Sequence, residues 1–397
     1  MLVIAAPGQG AQAPGFLTPW LDLPGVADRL TAWSDLAGCD LIACGTTASA
    51  EEITDTAIAQ PLLVAAALAA AETLGGLYQL RNQAGIAAGH SVGELAAGAI
   101  AGVLPPEDAI RLVSVRGRAM AKAAAAEATG MTAVLGGDQD EVLAALDVHG
   151  LTPANVNGAG QIVAAGTMAQ LAALAADPPA GARLRPLSVA GAFHTAHMAP
   201  AVAALREAAA GITVSDPAIL LLSDADGAAV KSGSDWLERI VTQVSAPVRW
   251  DQCMQTMAGL GASALIELPP GGTLTGLARR ALPQLSRVAL KTPDDLDSAR
   301  SLLAEHGTPE HHESGHTPEW RLLVAAQAGT FRADGAAQDT APGTHIRPGA
   351  ALGHIQVRGD QKPVTADFAA VVLEWVVEDG DPVGEGQPLV RLQPEDA

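Results

Sequence analysis

The sequence predicts an α/β protein with a parallel sheet in its main body and a small all-β region at its C-terminal end. Short apolar runs alternate with longer helical runs in residues 1–100, which is the order of a parallel sheet built from βα units. Shorter strand-like runs fill residues 125–190, and Pro and Gly recur at short intervals after residue 320. We therefore expect a first domain over residues 1–304, a linker over 305–320 and an all-β domain over 321–397.

The first elements of the chain read as strand–turn–helix units. A short buried strand is predicted at "LVIAAP", and it ends in the glycine-rich loop "PGQGAQ". A helical period runs through "AQPLLVAAALAAAETLG" and stops at a glycine pair. A second apolar strand, "AGIAAGHS", leads into a sharp turn and then into the predicted helix "VGELAAGAIAGV". Each such unit adds one parallel strand to the sheet.

The segment at about residues 125–190 predicts a small insert in this body. Its expected strands are "MTAVLGG", "PANVNGAGQIVAAGT" and "RLRPLSVAGAFH", and its expected helices are "DQDEVLAALDVHG" and "MAQLAALAAD". This approximate βαββαβ order is typical of a ferredoxin-like fold. The chain then returns to buried strands at "AILLLSDADG" and "ASALIELPPG" and reaches a last helix at "PDDLDSARSLLAEHG".

Charge and composition exclude several classes of protein. The 397 residues carry a formal net charge of −20, which would repel the phosphates of a nucleic acid. Three sparse cysteines, Cys39, Cys44 and Cys253, indicate reduced thiols and no zinc site. We find neither the pattern of a signal peptide nor the roughly 20 uninterrupted apolar residues of a membrane span. We expect a cytoplasmic protein without a membrane or nucleic-acid partner.

A candidate nucleophile stands in the motif Gly89-His90-Ser91-Val92-Gly93. A Gly-x-Ser-x-Gly turn between a strand and a helix holds the serine hydroxyl clear of the backbone, and the following helix offers N–H groups to a developing oxyanion. The alternative is a tight strand–helix turn without chemistry. The motif favours Ser91 as a catalytic nucleophile.

A serine nucleophile needs a base, and His194 is our candidate. It follows an expected strand in "SVAGAFHTAHM", where Gly, Ala and Phe could bury the imidazole. His90 adjoins Ser91 but should point elsewhere, and His197 is the structural alternative. Much of the body follows His194, an order that argues against a lipase-type triad. No acidic partner is evident, so we expect a backbone carbonyl to orient the imidazole.

Two further residues are candidates for substrate contacts. Gln9, flanked by glycines after the first strand, can present its backbone N–H as the second half of an oxyanion hole; the alternative is a simple glycine-rich turn. Arg116 lies on the apolar face of a predicted helix and needs a partner. Its guanidinium would suit a substrate carboxylate, or it could form a buried structural salt bridge.

Seven motifs in order resemble the malonyl-CoA:acyl carrier protein transacylase family, which includes the acyltransferase domains of polyketide synthases. The resemblance covers about residues 1–303. The motifs are "PGQGAQ" at 7–12, "AQPLL" at 59–63, "GHSVGE" at 89–94, "RGRAM" at 116–120, "ANVNGAGQIVAAG" at 154–166, "GAFHT" at 191–195 and "APVRW" at 246–250.

This resemblance implies an α/β-hydrolase-like core with a ferredoxin-like insert. It implies that Ser91 is acylated with His194 as its base, and that Arg116 binds the malonyl carboxylate. It places the oxyanion hole at the backbone N–H groups of Gln9 and Val92. The implied wall residues are Gln60, Asn155 and Asn157. The family orients its histidine through the backbone carbonyl of an asparagine, and Ala246 occupies that position here.

The implied reaction is transfer of malonyl from malonyl-CoA to the phosphopantetheine thiol of an acyl carrier protein, in fatty acid or polyketide synthesis. It requires no metal and no permanently bound cofactor, and "GAFH" resembles the malonyl-selective form. Two alternatives are an acyl-thioester hydrolase and a transferase-like scaffold. The carrier protein could dock on a basic patch, or these arginines could be ordinary surface residues: Arg183, Arg185, Arg279 and Arg280.

The C-terminal region, residues 321–393, resembles a biotinyl/lipoyl-type carrier domain, a small all-β barrel. In that family the modified lysine lies on a hairpin between two similar halves. Gly359 occupies the lysine position here, and Lys362 comes three residues too late. We expect a domain without a cofactor that serves as a docking or oligomer contact.

Overall fold

The computed structural model describes residues 1–307, 321–333, 344–357 and 360–394. The chain divides into two compact units, Met1–Glu310 and His311–Ala397. Each unit is described by itself. A helix reaches His306, so the start of the expected 305–320 linker is helical, and residues 308–320 lie outside the described residues.

The first unit combines strands and helices over its whole length. In chain order its strands are β1 Leu2–Ala6, β2 Ile86–Gly89, β3 Thr129–Gly136, β4 Thr152–Gly158, β5 Gln161–Thr167, β6 Ala182–Pro186, β7 Leu220–Leu221, β8 Ala264–Glu267 and β9 Ser286–Ala289. Its helices are α1 Val26–Ala37, α2 Leu41–Thr46, α3 Thr56–Leu74, α4 Leu77–Gln83, α5 Gly93–Ile100, α6 Pro106–Ala124, α7 Gln139–Val148, α8 Met168–Ala176, α9 Ala199–Ala209, α10 Gly233–Gln243, α11 Trp250–Gly259, α12 Thr273–Ala281 and α13 Leu296–His306.

A five-stranded parallel sheet forms the centre of this unit, which confirms the predicted mixed α/β body. Its strand order is β7-β2-β1-β8-β9. The central strand β1 is buried on both faces, as its uninterrupted apolar sequence requires. Leu2 and Ile4 pack into the core on one side of the sheet, while Val3 and Ala5 pack into the core on the other.

The insert is a four-stranded antiparallel sheet with two helices, in the order β3, α7, β4, β5, α8, β6. Its strand order is β4-β5-β3-β6. This is the βαββαβ arrangement of a ferredoxin-like fold. The segment "PANVNGAGQIVAAGT" supplies the two central strands of this order as a hairpin, because Gly158 and Gly160 both adopt positive φ at the turn.

Two expected strands are much shorter than the sequence indicated. β6 stops at Pro186, which has no N–H to continue the ladder, and the chain then turns toward His194. β7 contains only Leu220 and Leu221, because it pairs at the sheet edge with two residues of β2.

The helix α3 is long and apolar enough to cross a membrane, but it forms part of the protein core. In its most apolar window, 78 % of the residues are buried. It packs against α6, where a side chain on Gly117 would approach the carbonyl oxygen of Thr56 to 2.8 Å. Glycine at that point allows the two helices to lie close together.

The described residues of the second unit form eight strands. They are β10 Arg321–Val324, β11 Gly329–Arg332, β12 His345–Ile346, β13 Ala351–Val357, β14 Asp360–Thr365, β15 Ala370–Trp375, β16 Pro382–Val383 and β17 Pro388–Pro394. These strands make two four-stranded sheets, ordered β10-β17-β15-β12 and β14-β13-β11-β16. Within the described residues the pairings do not close a barrel. The Gly359 position of the expected hairpin lies outside the described residues.

Candidate active site

Ser91 lies on a sharp turn between β2 and α5. Its φ of +53° is strained for a residue with a side chain. A side chain on Gly93 would overlap the carbonyl oxygen of Ala6, and one on Gly89 would overlap the backbone of Gly93. The two glycines of the motif therefore let the turn pass directly against β1. This geometry holds the hydroxyl at the carboxyl end of the parallel sheet.

The imidazole of His194 is hydrogen-bonded to the Ser91 hydroxyl. The distance from Ser91 Oγ to His194 Nε2 is 2.7 Å. His194 itself has a φ of +60°, and its Nδ1 lies 2.9 Å from the backbone oxygen of Gln243. A carbonyl oxygen can only accept, so Nδ1 carries the proton and Nε2 is free to accept from the serine.

Burial keeps this imidazole neutral. Several effects together lower the pKa of His194 to about 3. Burial is the largest of them, and the positive charge of Arg116 is the second. A neutral imidazole with a free Nε2 is the form that a general base requires. His194 is thus poised to take the Ser91 proton.

The two other candidate histidines lie elsewhere. Nε2 of His90 is 2.8 Å from Asn157 Oδ1, and its ring packs on Trp250. His197 pairs with Glu127, with 2.9 Å between Nδ1 and Oε2. Neither contact involves Ser91.

Arg116 reaches the nucleophile from α6. Its Nη2 lies 3.3 Å from Ser91 Oγ and donates to Gln243 Oε1 at 2.6 Å, while its Nη1 donates to Gln60 Oε1 at 2.7 Å. Burial lowers the pKa of Arg116 to about 10, so the guanidinium stays charged at neutral pH. Among the described residues its Nε has no hydrogen-bond partner and no carboxylate forms an ion pair with it.

A cavity of about 480 Å³ opens beside the serine. Seven of the predicted site residues line it: Gln9, Gln60, Ser91, Val92, Asn155, Asn157 and His194. Arg116 lies behind the wall, only 1 % exposed. The backbone N–H groups of Gln9 and Val92 make no hydrogen bond to any described residue, so both remain available to a ligand. The arrangement offers a nucleophile, a base, two N–H donors and a buried cation.

The backbone carbonyl that lies 2.9 Å from His194 Nδ1 belongs to Gln243, which the sequence did not single out. The backbone of Ala246, the expected partner, also raises the pKa of His194, but by less than Gln243 does. Gln243 is the last residue of α10, and carbonyl groups at the end of a helix lack partners within the helix. Its residue type carries no signal for this contact because the contact is made by the main chain.

Two buried acids behind Ser91 were also missed. Asp224 follows β7 and accepts from the backbone N–H of Ser91 at 2.5 Å. Glu94, on α5, accepts from the backbone N–H of Asp224 at 3.1 Å. Both side chains are almost completely buried, with 0 % and 1 % exposure. The feature of the sequence that could have indicated them is that each carboxyl side chain adjoins an apolar run.

A second cleft, of about 570 Å³, adjoins the active-site cavity. The two share Gln161, Thr273 and Leu277. Of the four arginines expected to form a basic patch, Arg183 and Arg280 line this cleft. Within the described residues no group of His, Cys, Asp and Glu side chains is arranged to hold a metal ion.

The sequence profile of the acyl transferase domain matches residues 7–304, which contain every site residue described above. The chain belongs to the acyl transferase family. Its relatives include malonyl CoA-acyl carrier protein transacylases. The protein of that name from Mycobacterium tuberculosis is 53 % identical over 302 residues, which are 76 % of this chain and 100 % of the relative. The one from Escherichia coli K12 is 34 % identical, covering 75 % and 97 %.

Solved structures of acyl transferases agree with this assignment. MCAT from Mycobacterium tuberculosis matches with a TM-score of 0.73 and 52 % identity, over 76 % of this chain and 99 % of that one. A malonyl-transacylase in complex with a type II PKS acyl-carrier protein matches with a TM-score of 0.70 and 30 % identity, over 76 % and 99 %. The second unit thus lies largely beyond the length of these relatives.

Proposed function

We propose that this acyl transferase moves a malonyl group from malonyl-CoA to the phosphopantetheine thiol of an acyl carrier protein, through an ester on Ser91. The observation that carries the proposal is the 2.7 Å contact between Ser91 Oγ and His194 Nε2, with the guanidinium of Arg116 3.3 Å from the same oxygen. A serine and base alone would suit any acyl group. The buried cation beside them suits an acyl group that ends in a carboxylate.

In the first half-reaction Ser91 Oγ attacks the thioester carbonyl of malonyl-CoA while His194 takes the hydroxyl proton. The new C–O bond forms, the C–S bond breaks, and the proton passes from His194 to the departing CoA thiolate. The negative charge on the carbonyl oxygen is stabilised by the backbone N–H groups of Gln9 and Val92.

In the second half-reaction the carrier's phosphopantetheine thiol gives its proton to His194 and attacks the malonyl ester. The C–S bond forms, the ester C–O bond breaks, and Ser91 recovers its proton. Because the serine ester carries the acyl group between two thiols, the reaction needs no permanently bound cofactor. The malonyl carboxylate would stay on Arg116, where the unpartnered Nε and a neighbouring Nη form a fork.

The cleft beside the active site suits the phosphate-bearing part of either thiol substrate. Arg183 and Arg280 stand on its walls, and it joins the cavity at Gln161, where Arg280 Nη2 lies 3.4 Å from Oε1. In a chain with a net charge of −20, two arginines facing one cleft favour an anionic ligand. Arg185 and Arg279 are exposed near them on β6 and α12 and would extend the carrier contact.

The proposal is tested by following CoA release from malonyl-CoA with and without a carrier protein. Transfer predicts one rapid release per enzyme and continued turnover only when the carrier bears its phosphopantetheine. A carrier without that group is the matched control. Equal turnover in the absence of any carrier would make the protein a thioester hydrolase.

For the second unit we propose an unmodified biotinyl/lipoyl-like module that docks a partner. Lys362 lies within β14, paired with Ile355 of β13, and not at the tip of that hairpin. A lysine inside a strand ladder is poorly placed to swing a cofactor between sites.

With relatives of this family named as carrier-protein transacylases, we propose that the whole protein lies in the cytoplasm.

A further inference from the structure

Behind the nucleophile lies a buried polar cluster that the transfer chemistry does not use. The amide nitrogen of Gln243 is hydrogen-bonded to Glu94 Oε2 and lies 3.4 Å from Asp224 Oδ2. One nitrogen therefore faces an oxygen of each carboxyl group. The amide oxygen of the same side chain accepts from Arg116 at 2.6 Å. Gln243 thus joins the two acids to Arg116, the buried cation beside Ser91.

Ionising both carboxyl groups of this buried cluster costs free energy, because burial disfavours each charge and the two charges repel. Their side chains are at most 1 % exposed, and among the residues that the structure describes Arg116 is the cation that acts on both. Burial raises the pKa of Glu94 to about 7, and burial together with the charge of Glu94 raises the pKa of Asp224 well above its usual range. With one proton between them, the two acids and Arg116 sum to zero charge.

We propose that Glu94 and Asp224 form one proton-sharing pair of positioning residues whose protonation controls how well the site accepts a malonyl carboxylate. This inference rests on the proposed function. When the pair holds a proton, Arg116 is balanced by one negative charge and the incoming carboxylate meets a neutral cluster. When the pair loses it, the cluster is negative and repels the carboxylate. An acyl group without a carboxylate does not sense this difference.

The other titratable groups around the pair do not change charge in the same interval. On α11, Cys253 Sγ lies 3.9 Å from Asp224 Oδ1, and its pKa is raised by burial. His194 is neutral above about pH 3, and Arg116 is charged below about pH 10. Burial lowers the pKa of His90, which is therefore also neutral. The more distant acids, Asp226 and Asp251, bond to Arg239 and Arg249.

The test is the rate of Ser91 acylation by malonyl-CoA relative to acetyl-CoA, measured by intact-protein mass spectrometry from about pH 6 to pH 9. In the wild-type chain this ratio should fall by about tenfold as the pH rises, the effect of roughly one unit of coupling between two charges. In Asp224→Asn only Glu94 can ionise, so the cluster can become neutral but cannot become negative, and the ratio should fall by clearly less than in the wild-type chain. Glu94→Gln should behave in the same way.

The control is Asp226→Asn, the same change two residues along on an exposed side chain, which should keep the wild-type profile. If Asp224→Asn does not fold, Glu94→Gln carries the test. A constant ratio in the wild-type chain, or an equal fall in both amide variants, would overturn the inference. Absence of any malonyl ester at every pH would instead refute the proposed transferase activity, so the two failures are distinguishable.

Discussion

In our proposal, Arg116 is the residue on which the choice between acyl groups depends. We predict that Arg116→Ala lowers malonyl transfer relative to acetyl transfer by roughly 30- to 1,000-fold, equivalent to about 2–4 kcal/mol of lost charge-assisted hydrogen bonding. The measurement is kcat/KM for both thioesters. The matched control is Arg118→Ala on the same helix, because that guanidinium bonds to the backbone oxygen of Ala37 and not to the site. An unchanged malonyl preference in Arg116→Ala would dismiss the carboxylate contact.

The buried His194 should also show itself in the pH dependence of acylation. The neutral fraction of an ordinary histidine with a pKa of about 6.5 would fall about 25-fold between pH 7 and pH 5. Because the pKa of His194 is lowered to about 3, its neutral form persists throughout that range. We therefore expect the acylation rate at saturating malonyl-CoA to stay level from about pH 7 to pH 5. A steep acidic fall centred near pH 6.5 would contradict this protonation state.

The sequence was informative for residues whose side chains do the chemistry. Each of three polar side chains stands out from its neighbours in the sequence: a hydroxyl between two glycines, a histidine in a small-residue loop and an arginine on an apolar face. The structure brings these residues, Ser91, His194 and Arg116, together. Gln243 could not be found in this way, because its contact with His194 is made by the main chain. The pairing of Glu94 with Asp224 depends on two elements that are far apart in the chain.

The element that positions Ser91, the proposed nucleophile, is the turn from β2 into α5. A methyl group on Gly93 would overlap the Ala6 carbonyl of β1, so Gly93→Ala must push α5 away from the sheet. We predict a loss of stability of about 1–3 kcal/mol, typical of overpacking, together with a much larger fractional loss of acylation. Thermal unfolding and the acylation rate are the two measurements.

The control for this change is Gly259→Ala at the end of α11, where an added methyl group meets no atom within 4 Å. That variant should keep both its stability and its activity. Gly93→Ala with wild-type acylation would show that the close approach of the turn to β1 is not needed for the geometry of Ser91.

Element type was predictable from the sequence, but element length was less so. Uninterrupted apolar runs gave β1 and β8, and the helical period gave α3 and α6. The strands β6 and β7 are short because their pairing partners end, and the partners lie elsewhere in the chain. Strand length is therefore decided by tertiary contacts that a local pattern does not contain.

For the whole molecule, the two compact units predict separable roles. A chain ending at Gly307 should fold and acquire the malonyl ester at the rate of the full chain, because every described site residue lies before that point and relatives of that length are complete proteins. The comparison needs only the rate of ester formation and the unfolding temperature of both chains. A truncated chain that folds but is not acylated would show that the second unit contributes to the site.

The second unit was also the harder one to predict. Its turns and short strands were evident from Pro and Gly, but the way its eight described strands divide between two sheets is set by non-local pairing. The sequence does show that glycine, Gly359, stands at the position where the resembled family carries its modified lysine.

The most direct test of malonyl transfer through Ser91 is the intact mass of the protein before and after brief exposure to malonyl-CoA. Our account predicts a single malonyl adduct that is missing in Ser91→Ala and is removed by a carrier protein bearing phosphopantetheine faster than by water. No adduct on the wild-type chain, or an equal adduct on Ser91→Ala, would contradict it.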